Sequence, residues 1–285
     1  MDNNKVTLYL EFPRYGLCNK IITWAKAFVW CKENDADLLV KSWVHIPIGS
    51  VLRREKSKRW YKNFFKTPKI SIWKQIQFYK APVIRSFEEN KKSGEQYYKF
   101  ESTPLVADIP LLQNYRDDIL NSFFEMIETN HSQTIEKIKN PIIGVHIRRG
   151  DFITNGAVLD LSYYINVIKD LRKVNGNSLD VTIFSDGHES ELSSVLELPN
   201  VSLFNTVNDL VDLVMLSKSQ ILVTTKGSSY SYWAAFISNA VVIHHPETWV
   251  KECRPKEINN IKFEGIYPQN NKWPDLLVNN IKKIK

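Results

Sequence analysis

Arg148-Arg149-Gly150-Asp151 follows the apolar run Pro141-Ile142-Ile143-Gly144-Val145 after only His146-Ile147. A short, β-branched run of that kind reads as a buried strand of a parallel sheet. Ligands of open α/β sheets bind just beyond the carboxyl ends of such strands. Two arginines there offer fixed, bidentate donors, the chemistry a diphosphate requires. A surface Arg–Asp salt bridge in a loop accounts for the same four residues, so the neighbouring loops must decide.

Two further loops follow strand-like runs in the same half of the chain. One holds Ser185 and Asp186 after Asp180-Val181-Thr182-Ile183-Phe184; the other holds Ser228 and Ser229 after Gln220-Ile221-Leu222-Val223-Thr224. Hydroxyls and free N–H groups at a helix start form an anion site, although two serines there would also serve as simple caps. Asp212, on the helix before the third loop, could accept from the N–H groups of a guanine, or lie on a solvated helix face. Walker A, GxGxxG, HExxH and DxD patterns are all missing from the sequence. A diphosphate site without metal is therefore expected, and no cofactor.

The elements that must position these loops alternate regularly. Strands are expected at 141–145, 180–184, 200–204, 220–224 and 240–243, and helices at 161–174, 189–196, 209–217 and 230–238. This is the pattern of a doubly wound parallel sheet. At the other end, Val6–Leu10 reads as a strand, Ile21–Trp30 as a helix and Asp37–Val40 as a strand, making one βαβ unit whose loop contains Gly16. Residues 41–140 read poorly and mainly helical, with one long helix from Asp117 to Ile138. A boundary near Lys139-Asn140-Pro141 divides the chain into units 1–139 and 140–285.

The 285 residues are 43% hydrophobic and 24% charged, ordinary for a globular protein with a real core. Cys18, Cys31 and Cys253 lack zinc-ligand spacing. With no signal-peptide layout and no apolar run of about 18 residues, a soluble cytoplasmic protein is expected. The net charge of +7 sits in residues 1–140, with 23 Lys and Arg against 16 Asp and Glu, whereas residues 141–285 balance at 15 and 15. Residues 53–80 alone carry ten basic residues against one acid, Glu55, interleaved with Trp60, Tyr61, Phe64, Phe65, Trp73, Phe78 and Tyr79. An amphipathic helical region with its aromatics in the core explains this pattern. So does contact with anionic lipid headgroups or a lipid-linked acceptor at the inner face of a membrane; nucleic acid is the less expected partner.

Four segments, in order, resemble the GDP-fucose-dependent fucosyltransferases, most closely the bacterial α-1,2-fucosyltransferases. Gly144-Val145-His146-Ile147-Arg148-Arg149-Gly150-Asp151 resembles their HxRRGD segment, and Phe184-Ser185-Asp186 the second. Asp212 through Ala235 resembles the third, an acidic helix followed by a Ser-rich helix start. Gly16-Leu17-Cys18-Asn19-Lys20 resembles their N-terminal GLGNQ. The resemblance implies an α/β, GT-B-like fold of two Rossmann-like units facing across a cleft, an acceptor-side unit with a helical insert and a donor-binding unit. It also implies inverting transfer of L-fucose from GDP-fucose to an acceptor glycan. Arg148 and Arg149 would hold the β-phosphate, His146 and Asp212 the guanine, and Ser228 and Ser229 phosphate oxygens. Asp186 belongs to the donor site. Asn19 would approach the diphosphate or reacting centre, and Asp151 is the first candidate for the base. Cys18 and Lys20 depart from the family pattern. Cys18 would resist a positive φ, and Lys20 would either add charge near the phosphates or face water. Two rivals remain: the same fold with another GDP-sugar, and a non-catalytic protein that binds membrane or nucleic acid through residues 53–80.

Overall fold

The computed structural model describes residues 5–12, 14–44, 60–68, 70–150, 152, 158–204, 206, 208–268 and 272–285, apart from the side chains of Ile72 and Lys74. Two compact α/β units divide the chain, one drawn from residues 1–47 and 59–130, the other from 48–58 and 131–285.

The first unit is built on a parallel sheet of four strands, β1 (Val6–Leu10), β2 (Ala36–Val40), β3 (Val83–Ile84) and β4 (Tyr97–Phe100), in the order β2-β1-β4-β3. Helix α1 (Leu17–Glu33) makes the crossover from β1 to β2. It is apolar nearly all round, as a helix covered by a sheet and other elements must be. Ile21, Ile22, Ala25, Val29 and Trp30 are all sealed from solvent. Lys26, buried on the same helix, ion-pairs Asp108 at 2.5 Å and donates to the Thr103 carbonyl. The expected βαβ start is present, and the helix begins four residues earlier than its apolar period suggested.

Strands β3 and β4 lie in the stretch expected to be mainly helical, because both are too short for a periodic signal. Helix α2 (Ile72–Tyr79) precedes them. The long helix expected from Asp117 to Ile138 is two, α3 (Arg116–Met126) and α4 (Thr129–Lys137). The break falls where Ile127 leaves helical geometry and pairs with Phe65 in an antiparallel bridge. The basic, aromatic segment divides: Tyr61, Phe65 and Phe78 are buried, while Trp60, Trp73 and Tyr79 are exposed. Residues 53–59 lie outside the described residues.

The second unit holds a six-stranded parallel sheet in the order β10-β9-β8-β5-β6-β7. Its strands are β5 (Ile143–Ile147), β6 (Val181–Ser185), β7 (Val201–Leu203), β8 (Ile221–Val223), β9 (Val241–His244) and β10 (Glu264–Ile266). Helices α5 (Leu161–Asn175), α6 (Asp209–Ser217), α7 (Ser229–Ile237) and α8 (Asp275–Lys282) complete it. One core layer joins Val145, Ile183 and Val223 from the strands to Tyr164, Ile168 and Leu171 of α5. The alternation expected from the sequence is present except at 189–196, where a 3₁₀ turn (Glu189–Glu191) and a single helical turn (Ser193–Leu196) replace one helix.

The sheet order fixes where a ligand can sit. The chain builds outward from β5 through β6 to β7, then returns to the other side of β5 to begin β8. The crevice between β5 and β8 is the switch point of the sheet, the usual binding position in open α/β folds.

Candidate active site

The Arg148-Arg149 loop leaves β5 at that switch point. Asp186, at the end of β6, holds it: one carboxylate oxygen accepts from the Arg149 backbone N–H at 2.8 Å and the other lies 2.8 Å from Arg148 Nη1. A Cβ on Gly150 would come within 2.3 Å of the same carboxylate, so only glycine lets the two loops meet this closely. The Arg148 guanidinium also lies over the Phe152 ring, 5.7 Å from its centroid. Asp186 therefore orients the arginine pair. Asp151 lies outside the described residues.

Thr225, just beyond β8, ties the loops together. Its hydroxyl donates to the His146 carbonyl at 2.6 Å and accepts from the Arg148 N–H at 3.3 Å. The Tyr164 hydroxyl reaches it at 3.0 Å. The Thr225 N–H donates to Ser231 Oγ at 2.9 Å, and Ser231 Oγ lies 2.6 Å from His146 Nδ1. Ser231 Oγ thus bridges the Thr225 backbone and the His146 ring. Burial, then the charge on Arg148, depress the imidazole to about 3, so the ring is neutral at physiological pH. The ring lies against Tyr230 at 4.9 Å, and the Tyr230 hydroxyl donates to the Asp209 carbonyl, joining the starts of α6 and α7. Neither Thr225 nor Tyr164 stood out in the sequence; a threonine one residue past a strand reads as an ordinary turn residue.

Helix α7 begins beside these groups. Ser228 occupies its N-cap position, yet no side chain caps the helix, contrary to the expectation that these serines would cap it. Gly227 has a φ of +70°, a conformation glycine adopts without strain, and turns the chain into the helix. The positive end of α7 thus has no side-chain cap; Ser228 is buried there and Ser229 half-buried. Asp212, half-buried on the first turn of α6, accepts from the Thr206 hydroxyl, so it does not lie on a fully solvated face.

In the first unit, Asn19 stands on the opening turn of α1, its carbonyl accepting from Thr23. Cys18 is helical and no strain arises, which removes the objection to it: Gly16 supplies an extended N-cap and nothing in this turn has positive φ. Lys20 neither faces water nor offers charge to a ligand at the surface. It is buried, donates to the Trp43 carbonyl at 2.7 Å, and lies over the rings of Phe12 (5.4 Å) and Tyr61 (5.7 Å). Burial lowers it to about 8. A cavity of about 570 Å³ opens at the carboxyl ends of β1 and β4, with Tyr9, Glu11, Tyr15, Arg85, Lys99 and Glu101 among its lining residues.

Only one cluster among the described residues has metal-ligand character: His244, Cys253 and Glu264, in the core. Glu264 there already engages Arg254, His244 and two backbone N–H groups, so the cluster is a satisfied polar network.

Two α/β units, the second with a donor-rich crevice at the switch point of its parallel sheet, give a fold of the GT-B type. The chain belongs to glycosyl transferase family 11, whose profile matches residues 96–268. It is 28% identical over 116 residues to the O-antigen biosynthesis glycosyltransferase WbnK of Escherichia coli, a match spanning 37% of this chain and 38% of that protein. Its fold matches the fucosyltransferase NodZ from Bradyrhizobium at a TM-score of 0.56 and 12% identity, covering 86% of this chain and 97% of that one. The NodZ α-1,6-fucosyltransferase soaked with GDP-fucose matches at 0.56 and 13% identity, covering 86% and 98%.

Proposed function

We propose that this glycosyltransferase moves L-fucose from GDP-fucose to a hydroxyl of an acceptor glycan, with inversion and without a metal ion. The observation that carries the reading is the arginine pair at the switch point, oriented by Asp186 and tied through Thr225 to the loop before α7, whose start no side chain caps. Arginines and helix N–H groups neutralise a diphosphate directly, the task that carboxylate-held cations perform elsewhere. The likeness to a NodZ structure soaked with GDP-fucose supports the donor, and the match to an O-antigen biosynthesis enzyme supports a surface-polysaccharide acceptor.

In this reading Arg148 and Arg149 hold the β-phosphate, and the Ser228 and Ser229 hydroxyls hold phosphate oxygens. His146, a neutral imidazole, and Asp212 recognise the guanine. The acceptor oxygen bonds to the fucose anomeric carbon as the bond to the diphosphate breaks. Negative charge grows on the departing GDP, and fixed donors stabilise it most as it develops. Asp151 is the proposed base for the acceptor proton, and Asn19 a further proposed catalytic residue. Enzymatic identity sets aside the non-catalytic rival; another GDP-sugar remains the alternative donor.

Calorimetric titration with GDP and UDP in the presence of a chelator tests the site. Tight GDP binding that Arg148→Ala abolishes supports it, and GDP-fucose turnover on candidate glycans follows. Preference for UDP, or a strict need for Mn²⁺, overturns it.

A further inference from the structure

Helix α2 is apolar on two opposite faces. Phe78 is buried against the sheet, stacked on Tyr9 at 4.5 Å and edge-on to Tyr97 at 5.5 Å. At about 100° per residue, Trp73, Ile76 and Tyr79 fall within an arc of about 120° whose centre lies opposite Phe78. Those three side chains are 75%, 57% and 80% exposed. A water-facing helix surface normally carries charge; this one presents an indole, a branched aliphatic chain and a phenol side by side.

We propose that this face of α2 docks on an anionic membrane surface, lying in the headgroup region with Trp73, Ile76 and Tyr79 inserted. Charge complementarity selects this occupant. Residues 59–80 carry six Lys or Arg and no Asp or Glu; of these, Lys62, Lys66 and Lys80 are exposed. Tryptophan and tyrosine favour the membrane–water boundary, where the ring is buried and the polar edge stays wet, and basic residues around them are drawn to anionic lipid. A second copy of the chain would bring the same cations against themselves, and lysine is depleted at protein interfaces. Single-stranded nucleic acid would use stacking rings, but gains little from an exposed Ile76. Lys99 adds a functional link: its ammonium lies over the Tyr79 ring at 5.4 Å while the same residue lines the cavity at the ends of β1 and β4. Docking through α2 therefore brings that cavity beside the lipid surface.

The test is flotation of the full chain with phosphatidylcholine vesicles, with and without phosphatidylglycerol, over a range of salt. Binding to the anionic vesicles, weakening with salt, is expected. The triple variant Trp73→Gln, Ile76→Gln, Tyr79→Gln should reduce partitioning by about tenfold or more, while its circular dichroism and GDP titration match the parent. Lys80→Glu should reduce it less. Equal partitioning of parent and triple variant overturns the proposal. So does a dimer in light scattering that the triple variant dissolves, or retention by single-stranded RNA in place of vesicles. Because GDP binding is read on the same samples, failure of the membrane contact is distinguishable from failure of the donor site.

Discussion

Lys20 in the first unit and Arg148 in the second each follow the carboxyl end of a parallel strand, and they are held in opposite ways. Lys20 is enclosed by two ring faces and one carbonyl, and its charge is absorbed by the fold. The guanidinium of Arg148 meets the Asp186 carboxylate and lies over the Phe152 ring, on a loop at the switch point of the sheet. A cation enclosed by the core acts on the stability of the fold; one carried on a loop at a strand end stands where ligands of such sheets bind. The sequence position of a basic residue next to a glycine loop does not distinguish these cases.

Four substitutions or titrations sharpen this contrast. Arg148→Ala should lower turnover by about 10³-fold, because donors aimed at developing charge contribute on that scale, with thermal unfolding nearly unchanged. Asp186→Asn, which keeps the acceptor for the Arg149 N–H but removes the charge facing Arg148, should cost about tenfold to a hundredfold and raise the Kd for GDP, measured by calorimetry. Lys20→Met should leave GDP affinity intact and change stability instead. The buried ammonium falls from 10.5 to about 8, so the unfolded chain binds more protons between those values and stability rises with pH across that window, by about 3 kcal/mol in total. Denaturant unfolding should show that rise in the parent and lose it in the variant. If Lys20→Met abolished GDP binding while folding normally, the contrast would fail.

A further titration concerns His146. Its imidazole is held at about 3, below the ordinary 6.5, so the unfolded state takes up the proton first as pH falls. The neutral ring's contribution is fully present above about 6.5 and is lost progressively towards 3. Unfolding midpoints should therefore decline less between pH 6.5 and 4 in His146→Gln than in the parent, and GDP affinity in the parent should show no step near 6.5.

Much of the second unit was readable because its strands are continuous apolar runs and its helices keep their period, so topology followed from alternation. The arginine loop, Asp186 and the serines could be named because strand ends in such sheets carry ligands. What could not be read was lateral: that Asp186 orients the arginines, that Ser231 meets the His146 ring, and that Thr225 joins three segments. Each depends on which strands are neighbours, and β8 pairs with β5 at a separation of 78 residues, Ile143 facing Ile221. The first unit was less legible because Val83–Ile84 is a two-residue strand and Phe65 breaks a long helical pattern from a distance.

The three cysteines of the chain are all free and all buried. Burial also raises the thiols of Cys31 and Cys253, keeping them protonated and unreactive. A maleimide should therefore pass over the native protein. A cysteine placed at a solvent-facing site, such as Lys80→Cys at the end of α2, would be the one position to take the label. The chain comes ready for site-specific fluorophores without first removing its own thiols.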